Sequence, residues 1–166
     1  MKLILVLRDE DAGLKSQKNK MAKRAAARAV LIKKSKIAML YVGKHKYHKL
    51  PGGGVEKGET IKQALHREVL EETGCQAKIV AEIGKIVEHR THTGTLQTSY
   101  CYIAEVTDEG VPDFDDGELK DGFKLKWVSM ESAIKTLGKE KPGEYDGKFI
   151  VKRDAAFIKA AKKIIK

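Results

Sequence analysis

Residues 53–75 have the sequence GGVEKGETIKQALHREVLEETGC, which predicts a glycine-rich loop followed by one helix. Thr60 is a suitable N-cap residue, and Gln63 three positions later completes a Thr-x-x-Gln capping box. Gly74 offers a left-handed stop at the other end. The sequence therefore predicts a helix between Thr60 and Gly74.

The end of this helix carries three glutamates in a single turn, Glu68, Glu71 and Glu72. At about 100° per residue they share a sector roughly 100° wide. The placement costs free energy, because Glu68 and Glu72 repel each other and the helix macrodipole disfavours negative charge at its C-terminal end. A divalent cation with carboxylate ligands would offset these costs. The alternative is a solvated acidic face that pairs with some of the 33 lysine and arginine residues.

The neighbouring residues favour the cation. Ile61, Ala64 and Leu65 lie in the same sector as the glutamates, so one helix face is apolar at its start and acidic at its end. We therefore expect the carboxylates at the edge of a core. Upstream, residues 50–54 (LPGGG) combine a proline with three glycines, which permit tight turns and close approach of the backbone to a ligand.

Taken together, these residues resemble the Nudix box of the MutT-like hydrolases, G-x5-E-x7-R-E-U-x-E-E-x-G-U, where U is a bulky apolar residue. The positions on the pattern are Gly53, Glu59, Arg67, Glu68, Val69, Glu71, Glu72 and Gly74, with the small apolar Cys75 at the last place. The resemblance implies an α/β fold, the family's α/β/α sandwich around a mixed sheet. It also implies a hydrolase of nucleoside diphosphates linked to another moiety, dependent on Mg²⁺ or Mn²⁺.

The resemblance also implies roles for individual residues. It assigns catalysis and metal binding to the three box carboxylates, Glu68, Glu71 and Glu72. The backbone carbonyl near Gly53 is a further candidate metal ligand. Glu59 and Arg67 would form a structural ion pair that holds the loop to the helix; a phosphate contact by Arg67 is the alternative. Such chemistry suits the residue types, because a pyrophosphate repels an anionic nucleophile until cations neutralise its charge.

Candidate substrate contacts lie outside the box. Lys44, Lys46 and Lys49 stand next to the glycine loop and are expected to draw phosphates towards it. Family members commonly use another carboxylate, and in the acidic segment 108–121 the preferred candidate is Glu118. Many members have an aromatic residue where this chain has His48, which predicts different packing or a different substrate contact at that loop.

Charge is unevenly distributed along the chain, whose net charge is +10. Residues 1–58 contain 15 basic and 4 acidic residues, residues 59–138 contain 9 and 15, and residues 139–166 contain 9 and 4. The basic flanks are expected to attract a polyanionic small molecule, although lysines also simply favour solubility. Nucleic-acid binding is possible but has no supporting helix-turn-helix, zinc or RNA-binding motif.

Length and composition predict one Nudix hydrolase domain over residues 1–166, with a basic N-terminal extension (1–24) and a C-terminal helix at about 154–165. The sequence contains no apolar run of the 18 or so residues needed to span a bilayer, so no membrane partner is expected. Cys75 and Cys101 are expected to be small apolar residues in a reducing compartment, which favours a cytoplasmic protein. The oligomeric state is expected to be a monomer or a homodimer.

Other elements follow from local patterns. Residues 3–7 predict a strand at the sheet edge, and residues 10–24 a loop or a short frayed helix. Residues 25–32 and 37–42 predict a β-hairpin, although the alanine run at 25–27 could instead start a helix. Further expectations are strands at 77–89, 97–106 and 123–128 and a helix from Ser129 to Leu137.

The leading functional hypothesis is a Mg²⁺-dependent pyrophosphohydrolase acting on nucleoside triphosphates or their oxidised forms. ADP-ribose and dinucleoside polyphosphates are alternative substrates. A different class of function is a non-catalytic Nudix module that senses a nucleotide or binds RNA. Because such modules usually lose box glutamates and this chain keeps them, the enzyme is favoured.

Overall fold

The computed structural model describes residues 1–165, which form a seven-stranded mixed sheet with helices on both faces. The strands are β1 (Leu3–Leu7), β2 (Ala22–Lys33), β3 (Lys36–Val42), β4 (Tyr47–Lys49), β5 (Gln76–Arg90), β6 (Thr95–Asp108) and β7 (Phe123–Val128). The helices are α1 (Ile61–Thr73), α2 (Asp116–Lys120), α3 (Met130–Lys139) and α4 (Tyr145–Ile164). Short 3₁₀ turns occupy Asp9–Ala12 and Thr91–Thr93.

The sheet has the order β1-β5-β6-β2-β3-β4, and β7 also pairs with β3. β1 is parallel to β5 and β2 is parallel to β6, whereas the other pairs are antiparallel. β2 and β3 pair at their hairpin end, Ile32–Lys33 with Lys36–Ile37. Further along, β3 pairs with β4, so the segment that follows β4 lies beside β2.

Alternation along β2 separates two cores. Ala27, Ala29 and Leu31 pack with Leu65 and Val69 of α1 on one face. On the other face, Val30 belongs to the cluster that contains Phe149 and Phe157 of α4. Successive strand residues point to opposite faces, so each core is covered by a different helix layer. The expected α/β/α sandwich around a mixed sheet is confirmed.

The ends of α1 form as the sequence predicts. Gln63 N donates to Thr60 Oγ1 at 3.2 Å, and Thr60 N donates to Gln63 Oε1 at 2.8 Å, which completes the capping box. At the other end Gly74, with φ of 70°, donates its N–H to Leu70 O at 2.8 Å. The helix therefore holds its last turn, with the glutamates, against the sheet.

The terminal segments differ from expectation. The C-terminal helix begins at Tyr145 and not near Asp154, because the Glu144 side chain caps it by accepting from Gly147 N at 3.1 Å. Arg153 and Asp154, at the predicted start, are fully buried in the middle of the helix. The alanine run is a strand, since Ala22–Ile32 pairs continuously with β6.

The first 24 residues are joined to the sheet and are not simply an extension. β1 lies at the sheet edge, as residues 3–7 predict, and the loop after it is anchored by Asp9. Asp9 is fully buried, and its carboxylate accepts hydrogen bonds from Thr91 Oγ1 at 2.6 Å and from the Tyr145 hydroxyl at 2.5 Å. Within residues 1–165, no helix has both the length and the apolar character needed to cross a membrane.

Candidate active site

The glycine loop lies on β2, in the gap where β2 and β3 have diverged. Ala27 N donates to Gly53 O at 2.9 Å, and Ala29 N donates to Pro51 O at 3.0 Å. Gly52 has φ of 135°, and a Cβ there would stand 2.9 Å from Arg28 Cα and nearer still to the Ala27 carbonyl oxygen. Only glycine fits this close backbone approach.

Arg67 joins the loop to the helix. Its Nε donates to Glu59 Oε1 at 2.8 Å and its Nη2 to Glu59 Oε2 at 3.1 Å, a bidentate pair. The same Nη2 donates to Gly54 O at 3.0 Å. The expected Glu59–Arg67 ion pair is therefore present, and Arg67 also reaches two box carboxylates.

Glu68 and Glu71 both face Arg67. Arg67 Nη1 lies 2.8 Å from Glu68 Oε1 and 3.3 Å from Glu71 Oε2. The Glu68 carboxylate lies against the glycine loop, since a Cβ on Gly53 would fall 2.6 Å from Glu68 Oε2. The Glu71 side chain is 47% exposed, and partial burial, opposed by Arg67 and reinforced by Glu68, raises the pKa of its carboxyl. Glu68 thus meets the loop, and Glu71 faces outward beside it.

Glu72 is the buried member of the set, with 1% of its surface exposed. Its Oε1 accepts from Lys49 Nζ at 2.6 Å and its Oε2 from Gly52 N at 2.6 Å. Burial raises the pKa of Glu72 to about 7, even though Lys49 and the Gly52 N–H favour the ionised form. This carboxyl therefore changes charge near neutral pH, which suits proton transfer or cation binding.

Glu118 lies close enough to the box to respond to its charges. It belongs to the single turn of α2, where Asp115 Oδ1 accepts from Glu118 N at 2.8 Å and Glu118 Oε2 accepts from Asp115 N at 2.9 Å. Burial raises the pKa of the Glu118 carboxyl; the hydrogen bond from Asp115 N–H and the charge of Lys49 oppose this rise, whereas the charges of Asp115 and Glu68 add to it. The role of this preferred carboxylate in the site stays a prediction.

The three lysines near the loop have different surroundings. Lys49 contacts Glu72 and also donates to Gly52 O at 3.2 Å. Lys44 is exposed and lies 3.2 Å from Asp121 Oδ1, whereas Lys46 is an exposed residue in the turn between β3 and β4, with φ of 55°. Their contact with a substrate remains a prediction, and of the three, Lys49 is the one in contact with a box carboxylate.

The position that is commonly aromatic in the family has a structural role here. His48 N donates to Glu140 Oε2 at 3.0 Å, and the imidazole Nδ1 contacts the other oxygen of the same carboxylate. The imidazole also packs against Tyr41, with 4.8 Å between ring centroids. The loop is thereby attached to the end of α3.

The donor set suits a hard divalent cation, although its present arrangement is not a finished binding site. Three carboxylates and the Gly53 carbonyl are oxygen donors of the kind that Mg²⁺ and Mn²⁺ prefer. In residues 1–165, no three His, Cys, Asp or Glu side chains are placed so that they could hold a metal ion together. Instead the Lys49 ammonium and the Arg67 guanidinium supply the positive charge. Metal binding therefore requires at least one carboxylate to exchange a cationic side chain for the ion.

Sequence reasoning missed a buried ionic cluster beneath the loop. Glu88, Arg153 and Asp154 are completely buried, and Leu50 N donates to Asp154 Oδ2 at 2.8 Å. A signal was present in the sequence: Arg153 lies four residues from both Phe149 and Phe157, so a charge stands on an apolar helix face. Such a charge requires a buried partner.

Arg24 was also missed. Its Nη1 donates to Gln97 Oε1 at 3.0 Å, and a Cβ on Gly54 would fall 3.0 Å from its Nη2. Its guanidinium therefore lies beside the glycine loop. Because Arg24 precedes the loop by 30 residues and belongs to no recognised pattern, the parallel pairing of β2 with β6 was needed to reveal this position.

Comparison with known proteins agrees with this geometry. Residues 22–148 match the NUDIX domain, and the chain therefore belongs to the NUDIX family. Among curated relatives, it is 34% identical over 93 residues to diphosphoinositol polyphosphate phosphohydrolase 3-beta of Bos taurus, covering 56% of this chain and 54% of that protein. It is 37% identical over 98 residues to diphosphoinositol polyphosphate phosphohydrolase 3-alpha of Homo sapiens, with the same coverage. The chain spans about half the length of these relatives.

Solved structures share the fold. The TM-score is 0.66 with a NUDIX hydrolase from Nitrosomonas europaea, at 21% identity over 86% of this chain and 90% of that chain. It is 0.59 with a MutT NUDIX hydrolase from Burkholderia pseudomallei, at 17% identity over 80% of this chain and 98% of that chain. These similarities establish the architecture.

Proposed function

We propose that this chain is a Mg²⁺- or Mn²⁺-dependent pyrophosphohydrolase of a small polyanionic molecule. One observation carries the proposal: the last turn of α1 brings Glu68 and Glu72 into contact with the glycine loop, at Gly53 and Gly52. Family membership and an intact box support it. The reaction would add water across a P–O–P bridge and split the molecule into two phosphate-bearing products.

Glu68, Glu71, Glu72 and the Gly53 carbonyl would hold the cation. When bound, it supplies positive charge that neutralises phosphate oxygens and makes a water molecule more acidic. The chain's own contribution is a set of groups held in place before substrate arrives. Without the ion, Gly52 N–H and Lys49 hold Glu72 and Arg67 holds Glu68, and at least one of these two cationic contacts would give way when the ion binds. Glu68 or a neighbouring carboxylate, Glu72 included, would accept the proton of the attacking water, and the raised pKa of Glu72 supports that role for Glu72.

The test is product formation in the presence of Mg²⁺, with the products separated by ion-exchange chromatography, and with Glu71→Gln and Glu72→Gln compared with wild type. Each is expected to lower kcat by about a hundredfold or more, because both lose a charged ligand while keeping the side-chain shape. Glu131→Gln is a control, since Glu131 is an exposed residue of α3 that pairs with Lys162. Near wild-type turnover in both box variants would refute the assigned roles.

A nucleotide is the first candidate substrate, either a nucleoside triphosphate or its oxidised form. An aromatic pair next to Lys49 favours it: Lys49 Nζ lies 5.2 Å from the Phe123 ring centre, and Phe114 packs edge-on against Phe123 at 5.8 Å. A nucleobase could stack on this pair while its phosphates reach the box. ADP-ribose and dinucleoside polyphosphates contain the same two parts and belong in the same assay.

A diphosphoinositol polyphosphate is the second candidate, and the curated relatives favour it. Such a molecule has no base to stack and many phosphates, so basic side chains would dominate its binding. Arg24 lies beside Gly54, and Lys49 donates to Gly52 O. We expect Arg24→Gln to raise KM for this substrate and Phe114→Leu to leave it unchanged. The opposite pattern is expected for a nucleotide, so the two variants distinguish the candidates.

The proposal extends to the cellular location, the partner and the oligomeric state of the protein. The free thiols of Cys75 and Cys101 are both buried, which supports a reducing, cytoplasmic location. The partner would be a small molecule, and the chain would act as a monomer or a homodimer.

A further inference from the structure

We infer that Asp154 of α4 is a positioning residue, which sets the segment Lys49–Gly52 against Glu72. The inference rests on the proposed function, because it concerns the same site. Asp154 lies outside residues 22–148, which match the family, so the box does not contain it. The observation behind the inference is one hydrogen bond, from Leu50 N to Asp154 Oδ2 at 2.8 Å, between residues 104 positions apart.

The backbone of β4 explains why a carboxylate is needed. β4 pairs with β3 through Leu40–Lys49 and Val42–Tyr47. The N–H groups of His48 and Leu50 instead donate to carboxylates that follow in the C-terminal part of the chain. Glu140 accepts from His48 N, and Asp154 accepts from Leu50 N. A buried N–H without an acceptor costs about 1–3 kcal/mol, so these bonds hold the segment in one position.

Asp154 is itself held rigidly. It is completely buried, and its other oxygen accepts from Arg153 Nε at 2.7 Å. Arg153 is also completely buried and lies 3.5 Å from Glu88 Oε2. Neighbouring residues on the same helix belong to the core, so α4 presents the carboxylate from a packed layer. The acceptor therefore has little freedom to follow the loop if the loop moves.

Residues on both sides of Leu50 in the chain contact the Glu72 carboxylate. The preceding residue, Lys49, contacts Glu72 Oε1, and the second residue after it, Gly52, donates to Glu72 Oε2. Both groups that orient Glu72 thus lie within two residues of the anchored N–H. Loss of the anchor would displace the two together, and a displacement of about 1 Å can cost a hundredfold in rate.

A matched pair of variants isolates the hydrogen bond. Both carry Arg153→Met, which removes the charge that Asp154 neutralises. One adds Asp154→Asn and the other Asp154→Leu. Asn and Leu have similar shapes, but only Asn offers an oxygen to Leu50 N–H. Asp146→Asn is the control on the same helix, because Asp146 is 46% exposed and pairs with Arg90 and not with the loop.

The expected result is a lower kcat for the Leu variant than for the Asn variant, by about tenfold or more, with KM changed less than twofold. Mn²⁺ affinity, measured without substrate by electron paramagnetic resonance, should fall in the same variant. The Asp146→Asn control should match wild type in both. Equal kcat and equal Mn²⁺ affinity in the folded Asn and Leu variants would overturn the inference.

Hydrogen exchange of the wild-type protein provides a test independent of activity and of the variants' folding. The Leu50 and Gly52 amides should exchange as slowly as amides in the centre of β2. Rapid exchange of Leu50 would overturn the anchor even if the enzyme is active. If the wild-type protein hydrolyses no pyrophosphate-containing substrate, the proposed function fails. Hydrogen exchange of Leu50 and Mn²⁺ affinity still decide the role of Asp154 in that case.

Discussion

Lys49 Nζ lies 2.6 Å from Glu72 Oε1, and the two side chains are 12% and 1% exposed. An ammonium ion and a carboxylate from elements 23 residues apart thus share a nearly dry site next to the glycine loop. Both the stability of the loop and the chemistry of the box depend on this contact, because neither charge has much water to solvate it.

Lys49→Met is expected to destabilise the protein by less than about 1 kcal/mol at pH 7 and by roughly 2 kcal/mol or more at pH 9, because the buried Glu72 carboxyl, whose pKa is already about 7 beside Lys49, stays protonated once that cation is gone. Urea denaturation at pH 7 and at pH 9 measures this difference. Lys44→Met is the matched control, because Lys44 is 54% exposed and its pair with Asp121 contributes little. Equal unfolding free energies for the two variants at pH 9 would contradict the interpretation.

Alanine substitutions at the adjacent residues Gly52 and Gly53 are expected to affect different properties, stability in one case and turnover in the other. Gly53→Ala would push the flexible end of Glu68, so it should reduce kcat strongly with a small loss of stability. Gly52→Ala meets backbone at Ala27 and Arg28 and has positive φ, so it should destabilise by roughly 2 kcal/mol or more.

Thermal unfolding and turnover, measured together, separate these outcomes. Gly138→Ala is the control, because a Cβ there meets open space within α3 and should stabilise by up to about 1 kcal/mol. A Gly53→Ala enzyme with full activity would show that Glu68 does not need its place against the loop.

Arg67 is expected to act through structure and not through the substrate. Arg67→Lys cannot reproduce the bidentate contact with Glu59 and the bond to Gly54 O, so it should lower the melting temperature and kcat while KM changes less than twofold. Glu59→Gln should lower the melting temperature similarly, and the double variant should cost less than the sum of the two. A KM raised tenfold by Arg67→Lys alone would instead identify a phosphate contact.

Stability should fall in acid partly through Glu88. Burial alone would raise the pKa of this carboxyl, but the charges of Arg153, Arg90 and Arg28 outweigh it and lower the pKa to about 2. Because the pKa of Glu88 is lower in the folded state, its ionisation stabilises the protein by on the order of 3 kcal/mol. This contribution to the free energy of unfolding is present above the unfolded-state pKa of 4.5 and is lost as pH falls towards 2.

The comparison of wild type with Glu88→Gln isolates this contribution from those of the other carboxyls. The difference in unfolding free energy between the two proteins should be largest above pH 5 and should lose more than half of its pH-dependent part by pH 3. Urea denaturation at several pH values provides the measurement. A constant difference from pH 6 to pH 3 would exclude an ionised Glu88 as the cause.

Local chemistry made much of the molecule predictable. The capping box and the glycine stop act within a few residues, so α1 and its carboxylate cluster could be inferred from residues 60–74, and the resemblance to the Nudix box implied the Glu59–Arg67 pair. Strands β3, β5, β6 and β7 appeared within about two residues of their predicted bounds for the same reason. The predicted start of the C-terminal helix was wrong, because the residue that caps the helix is Glu144 and the buried Arg153 and Asp154 lie within it.

By itself, then, the sequence determined the family resemblance, the sandwich fold and the identity of the box carboxylates, since all of these depend on spacing along one segment. The tertiary structure decided which groups face those carboxylates: Lys49 for Glu72, Gly53 for Glu68 and Asp154 for the loop between them. These contacts join residues 15 to 104 positions apart. They depend on the divergence of β2 from β3 and on the packing of α4. The burial of Glu72, which raises the pKa of its carboxyl, likewise exists only once the helix layers have packed on the sheet.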